Sequence, residues 1–205
     1  MKYFCYQIGI ELKNQLTSLR KEFFRKTIHI CTAFVPLFLH LAHVPALLCL
    51  CSAGLFYIVA EFLRFNGHEI PLISDITAAA ARKRDENKFV LGPVTLVAGI
   101  VSAALLWEEN AAAVGIFALA FGDGLASLAG KTFGKIRVPY THGKTVEGSL
   151  TCFAAIFCST FFVTNNCRIS LLVAATGALI EVLPLKDFDN LLIPVLLGGI
   201  VTYCS

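Results

Sequence analysis

A small set of acids and lysines carries whatever chemistry this chain performs. Asp123 stands inside an apolar run, Lys131, Lys135, Arg137 and Lys144 follow it, and Glu147 stands at the mouth of the next apolar run. Glu61, Glu181, Asp187 and Asp189 fall at or near the ends of other apolar runs. Acids gathered at one depth repel unless cations or a metal join them. An oxygen-rich cluster facing water suits Mg²⁺, which takes a carboxylate or two and shares the phosphates of a substrate. Lysine and arginine beside it would neutralise those phosphates. The chemistry this set suits is phosphoryl or nucleotidyl transfer, where positioning and charge neutralisation supply most of the catalysis.

The positioning element is the segment Phe121 to Ser149. Read as one helix, Ala111 to Thr132 places Asp123, Ser127 and Lys131 on one stripe and Gly122, Ala126 and Gly130 on a parallel one, with Gly134 continuing it. Small residues four apart let another backbone approach closely. A carboxylate deep in an apolar helix is expensive and marks a functional site unless it is paired. The structural alternative is that Asp123 pairs with a nearby lysine and pins two helices together.

Gly143-Lys144-Thr145 resembles the end of a phosphate-binding loop, but Val138 stands where the first glycine of that motif would be, and no strand precedes it. For Gly130-Lys131-Thr132 the corresponding residue is Leu125. The chain is therefore not a P-loop protein. Gly143, Lys144 and Thr145 are still candidates for nucleotide contact, with Lys131 and Lys135. Arg25, Lys26 and His29 cluster at the entry of the first apolar run, as a helix-end anchor or a phosphate contact. Glu61 and Arg64, three apart, are expected to pair with each other.

Composition sets the frame. Of the 205 residues 57% are hydrophobic and only 15% charged, with a mean hydropathy of +0.73. That points to an all-α polytopic membrane bundle of about seven helices, several shorter than the ~20 residues that span a bilayer untilted. The runs lie near residues 27–41, 44–63, 89–107, 111–129, 149–163, 169–183 and 191–203. Residues 1–26 are expected to lie along the membrane surface rather than to form a leader, and 27–205 to form the catalytic domain. A short interfacial helix is expected over Ser74–Lys83, capped by Ser74. If the first helix starts on the cytosolic side, every Lys and Arg except Arg168 falls on that side. The C-terminus is then on the far side, and the polar loops share the cytosolic face. The eight cysteines form no CxxC pair, which argues against a zinc site, and most sit in apolar runs as small hydrophobes. The net charge of +3 gathers at helix ends and is no nucleic-acid signature.

GDGLASLAGKTFG (122–134), KTVEGS (144–149) and Glu181 followed by PLKDFDNLLIP (184–194) resemble the dolichol kinase, phytol kinase and CTP-dependent diacylglycerol kinase family of integral membrane enzymes. RKTIH (25–29) and LGP (91–93) are similar to that family too, and the resemblance covers nearly all of the chain after residue 20. The larger polyprenol kinases have helices that this chain lacks, so its size is nearer the phytol kinases. The resemblance implies phosphate transfer from a nucleoside triphosphate, often CTP, to a lipid alcohol. It also implies Asp123, Lys131, Lys144, Glu147, Asp189 and Asn190 as site residues. Lys131 and Lys144 would hold the triphosphate, Glu147, Asp189 and Asn190 would hold Mg²⁺, and Asp123 would orient or deprotonate the alcohol. Where the family often has an acid, this chain has Phe188, with Asp187 before it. Two other readings use the same features. One is a phosphatidate cytidylyltransferase, whose paired glycines before an Asp-Arg are not found here. The other is a transporter with ion-binding carboxylates in a glycine-rich broken helix.

Overall fold

A computed structural model describes residues 2–68, 70–80, 88–141 and 143–204. Among the described residues the chain is helical, with one isolated antiparallel bridge between Arg137 and Thr145. The all-α bundle expected from composition is what forms.

Helix α1 runs from Lys2 to Cys31 and passes through residue 26 without a break. Pro36 ends its regular run. Proline has no N–H to donate back to residue 32, so the chain tightens into a 3₁₀ turn at Thr32–Phe34 and restarts as α2, Val35–Leu41, with the proline in its tolerated first turn. After Ala42 comes α3, His43–Phe65. Helix α4 spans Pro71–Ala80 and begins three residues before the expected Ser74. Pro71 starts it, as proline suits the first helical position, so Ser74 is inside the helix and not its cap. Arg82 and Lys83 lie outside the described residues. Helix α5, Gly92–Leu106, starts at the expected Gly92-Pro93 step.

The central helix has three parts: α6, Glu109–Phe117, a π-helical turn at Ala118–Asp123, and α7, Gly124–Phe133. The sequence predicts one regular helix here. The wide turn leaves the stripe of Ser127 and Lys131 regular, but it re-aims everything before Asp123. Such turns concentrate at functional sites. A loop at 134–145 leads to α8, Val146–Thr164. Asn165 closes α8 at φ 50°, in the left-handed region asparagine tolerates. Asn166 caps α9, Cys167–Val182, accepting the N–H groups of Arg168 at 3.0 Å and Ile169 at 3.3 Å. Helix α10 is Asp189–Cys204.

The core is Leu119, Val114, Ile116, Ile156, Val173, Ile193 and Leu197, all fully buried, so α8, α9 and α10 enclose the central helix. Glu109–Phe133, Val146–Thr164 and His43–Phe65 are each long and apolar enough to cross a membrane. The central helix has 67% of its most apolar window buried against 11% for α3. Helix α3 turns Leu48, Leu55, Phe56 and Phe62 outward. That is the pattern of a bundle whose outer helices meet lipid and whose axis meets protein.

Candidate functional site

The expected stripe of small residues is the seam between the central helix and α8. A Cβ on Gly122 would stand 2.8 Å from Ile156 and 3.4 Å from Cys152 Sγ. On Gly130 it would stand 2.8 Å from Thr145 Oγ1, and on Gly148 2.9 Å from the carbonyl of Ala126. Thr145 is the N-cap of α8 and accepts the Gly148 N–H at 3.2 Å. Small residues on both sides thus bring the α8 N-terminus and Lys144 against the segment that carries Asp123.

On the other flank of the central helix lies α1. Glu22, Lys26 and His29 recur at helical spacing on one face of α1, and all three are buried. Lys26 Nζ forms a buried ion pair with Asp123 Oδ2, and His29 Nδ1 lies 3.4 Å from the same oxygen. Two turns further toward the charged end, Lys131 Nζ donates to Glu22 Oε2 at 2.8 Å, while Arg25 pairs with Glu22 Oε1. The two helices run antiparallel, so residues ascending on α1 meet residues descending on α7. The sequence marks Lys131 as a site residue and Arg25, Lys26 and His29 as an anchor or phosphate contact; Glu22 and the pairing of Lys26 with Asp123 are additions made by the structure.

A third pair closes the site. Lys144 Nζ pairs with the buried Glu181 of α9, whose other oxygen accepts from Ser149 Oγ at 3.3 Å. Burial would lower the Lys144 pKa, but the Glu181 carboxylate, with Asp123 and Asp189 adding their fields, raises it above the usual lysine value. The fully buried Cys152 of α8 feels the charges of Glu181, Asp123, Lys144 and Lys26 at once. Side chains from α1, the central helix, the 134–145 loop and α9 therefore converge on one region.

No family model matches the chain, and no solved structure matches it. A phytol kinase of Synechocystis is 29% identical over 193 residues, which cover 90% of this chain and 80% of that protein. A chloroplastic farnesol kinase of Arabidopsis thaliana is 27% identical over 126 residues, 54% of this chain and 41% of that one. The chain is similar to the phytol and farnesol kinases. An uncharacterised protein of Methanocaldococcus jannaschii is also similar, 27% identical over 188 residues, 89% of this chain and 94% of that one.

The expected site residues divide by position. Asp123, Lys131, Lys144, Glu181, Arg25 and His29 belong to the converging region. Glu61 does not: it is fully buried at the end of α3, receives both a 2.7 Å and a 2.6 Å bond from Arg64, and accepts the Val90 N–H at 2.8 Å. It ties α3 to the chain entering α5, the pairing expected from its spacing. Glu147 accepts the backbone N–H groups of Lys135 at 2.9 Å and Ile136 at 3.3 Å, holding the loop folded over the start of α8. The side chain of Lys135 is exposed, and Gly143 sits in the loop at φ 96°, with open space around it. Asn190 is buried and donates to Gly92 O at 3.3 Å and Thr95 Oγ1 at 3.2 Å, pinning α10 to α5. Asp189 starts α10, accepts the Asn190 N–H at 3.0 Å and adds its charge at Lys144. Asp187 lies half-buried in the turn before it. Among the described residues no three His, Cys, Asp or Glu side chains form a ready metal cage.

Proposed function

We propose that this protein is a membrane-embedded lipid-alcohol kinase. It transfers a phosphate from CTP or another nucleoside triphosphate to a polyprenol, a phytol-like alcohol or diacylglycerol. The chain crosses the bilayer several times, with its N-terminus cytosolic, its C-terminus on the far side and its site on the cytosolic face.

The observation that carries this reading is the convergence of Lys26, Lys131 and Lys144, from three separate segments, each held by a carboxylate. In a site lined in this way each lysine already faces an anion. A polyanion entering it takes up the lysines as its own partners, and charge-assisted bonds to phosphate oxygens replace those to carboxylates. Kinship with phytol and farnesol kinases supports the alcohol as the acceptor. Lys131 and Lys144 grip the triphosphate from the water side, and the lipid tail enters between helices.

The carboxylate oxygens near Lys144 suit Mg²⁺, which shares its ligands with phosphate and water. Asp189 is the carboxylate that would hold it there. The ion would draw negative charge off the phosphoryl group in transfer.

Purified protein, labelled CTP or ATP, and phytol, polyprenol or diacylglycerol on thin-layer plates test the reading. A nucleoside diphosphate with a phosphorylated alcohol is the expected product. Pyrophosphate with a CDP-lipid would make the protein a cytidylyltransferase. Uptake into liposomes without triphosphate consumption would make it a transporter.

A further inference from the structure

We propose that His29 is the general base that takes the hydroxyl proton of the lipid alcohol, with Asp123 holding its ring. The proposal rests on the lipid-alcohol kinase reading and assigns the proton-transfer role within that site.

His29 is 6% exposed, and its Nδ1 is sealed from solvent with no hydrogen-bond partner. A buried polar atom left unsatisfied is rare and calls for an explanation. Asp123 Oδ2 lies 3.4 Å away, outside the geometry of a hydrogen bond from the ring as it stands but within one small ring rotation of it. That oxygen is already committed to the Lys26 ammonium, so the carboxylate is suited to orienting a neighbour. A carboxylate facing Nδ1–H fixes the imidazole tautomer and leaves the Nε2 lone pair to accept a proton.

Position along α1 agrees with this division. Glu22 and Arg25 stand nearest the charged end, beside Lys131. His29 stands about two turns deeper, where Ile30 packs against Gly124 and apolar residues take over. Phosphates gripped by Lys131 and Lys144 and a hydroxyl carried on a lipid tail would meet at the level of His29. The charged groups whose fields reach the ring are Lys26 and Glu22 from α1 and Asp123 from the central helix. Asp75, the charged residue of α4, is exposed.

In the step proposed, the O–H bond of the alcohol breaks and its proton goes to His29 Nε2. The alkoxide oxygen forms a bond to the γ-phosphorus, and the bond from that phosphorus to the bridging oxygen breaks. Its electron pair leaves on the nucleoside diphosphate. The ring, held by Asp123, returns its proton to water when the products depart.

The test uses the full-length protein in detergent or nanodiscs, with His29→Gln and His29→Asn checked for folding by thermal melting. Each is assayed with phytol and with a phytol analogue fluorinated beside the carbinol carbon, whose hydroxyl is more acidic. The expected result is a kcat about 10²–10³-fold lower with phytol, as for loss of a general base, with nucleotide KM nearly unchanged. The deficit should shrink about tenfold with the fluorinated acceptor, and the acid limb of the kcat profile should disappear. Unchanged kcat, or an equal deficit with both acceptors and the acid limb intact, overturns the proposal and leaves the kinase reading standing. Should neither variant fold, a wild-type kcat that is flat on the acid side and indifferent to acceptor acidity overturns it. A wild type that phosphorylates no alcohol overturns the kinase reading and this proposal together.

Discussion

Lys26 of α1 and Asp123 of the central helix, 97 residues apart in the chain, form an ion pair with only 1% and 5% of their side chains exposed. The pair does two things at once. It fastens α1 to the helix that carries the site, and it fixes the direction in which Asp123 points. The structural role that the sequence offers as the alternative for Asp123 is therefore met. It is met within the converging charges rather than apart from them.

The two roles separate by mutation. Lys26→Met or Asp123→Asn alone strands a buried charge or its partner, at a cost of about 3–5 kcal/mol. The double variant Lys26→Met/Asp123→Asn removes the pair and should recover much of that stability, because burying a pair gains little over burying neutral groups. Kinase activity should be absent from all three. Melting in detergent reads the first effect and the thin-layer assay the second. A double variant that regains activity with stability would reduce the pair to a fastener.

The glycine seam makes a prediction that needs no assay. Gly130→Ala puts a methyl 2.8 Å from Thr145 Oγ1, and Gly122→Ala puts one 2.8 Å from Ile156. Overpacking of this kind costs about 1–3 kcal/mol. Gly92→Ala, with nothing within 4 Å of the added carbon, should melt within about 0.5 kcal/mol of the wild type. If all three melt alike, the seam is looser than the geometry implies.

These contrasts locate what was legible in the chain. The four-residue spacing of Gly122, Ala126 and Gly130 is a local signal, and the packing follows it. Asp123 was legible because an acid in an apolar helix is costly wherever it points. Lys26 was not, because topology recruits cations to a helix entry whatever they later touch. A pairing across 97 residues cannot be read from the spacing around Asp123. The recurrence of Glu22, Lys26 and His29 on one face of α1 was the signal that could have found it. The π turn at Ala118–Asp123 has the composition of ordinary helix, so no residue type announced it. Glu147 and Asn190 are expected as metal ligands because of the motifs they stand in, and a motif does not reveal that Glu147 also accepts the N–H groups of Lys135 and Ile136 or that the Asn190 amide nitrogen donates to Gly92 O.

Asn190 supplies a direct check on that last point. Asn190→Ala leaves Thr95 and the Gly92 carbonyl without their buried partner, a loss of about 1–3 kcal/mol. The folded fraction should keep its dependence on Mg²⁺ concentration unchanged. Asp189→Asn should do the reverse, leaving the melting point near wild type and raising the Mg²⁺ requirement about tenfold or more. Titration of activity against Mg²⁺ for both variants distinguishes the two. A raised requirement in Asn190→Ala would assign Asn190 Oδ1 to the ion as well.

Lys144 and Glu181 give the pH dependence. Burial pulls the Lys144 pKa down, and Glu181, with Asp123 and Asp189, together pull it further up, so the net shift is upward. A raised lysine stabilises the fold fully below its unfolded value of about 10.4, and that contribution is lost as pH climbs through the higher folded value. The wild type should therefore show a nucleotide KM that this lysine leaves flat from neutral to mildly alkaline pH. In Glu181→Gln the burial effect loses its main opponent, and the alkaline rise in nucleotide KM should move to lower pH. Adding Lys144→Arg to that variant replaces the titrating ammonium with a guanidinium that stays charged, and the alkaline rise should then vanish. A rise that stays in place in the double variant would assign it to another group and remove Lys144 from the nucleotide site.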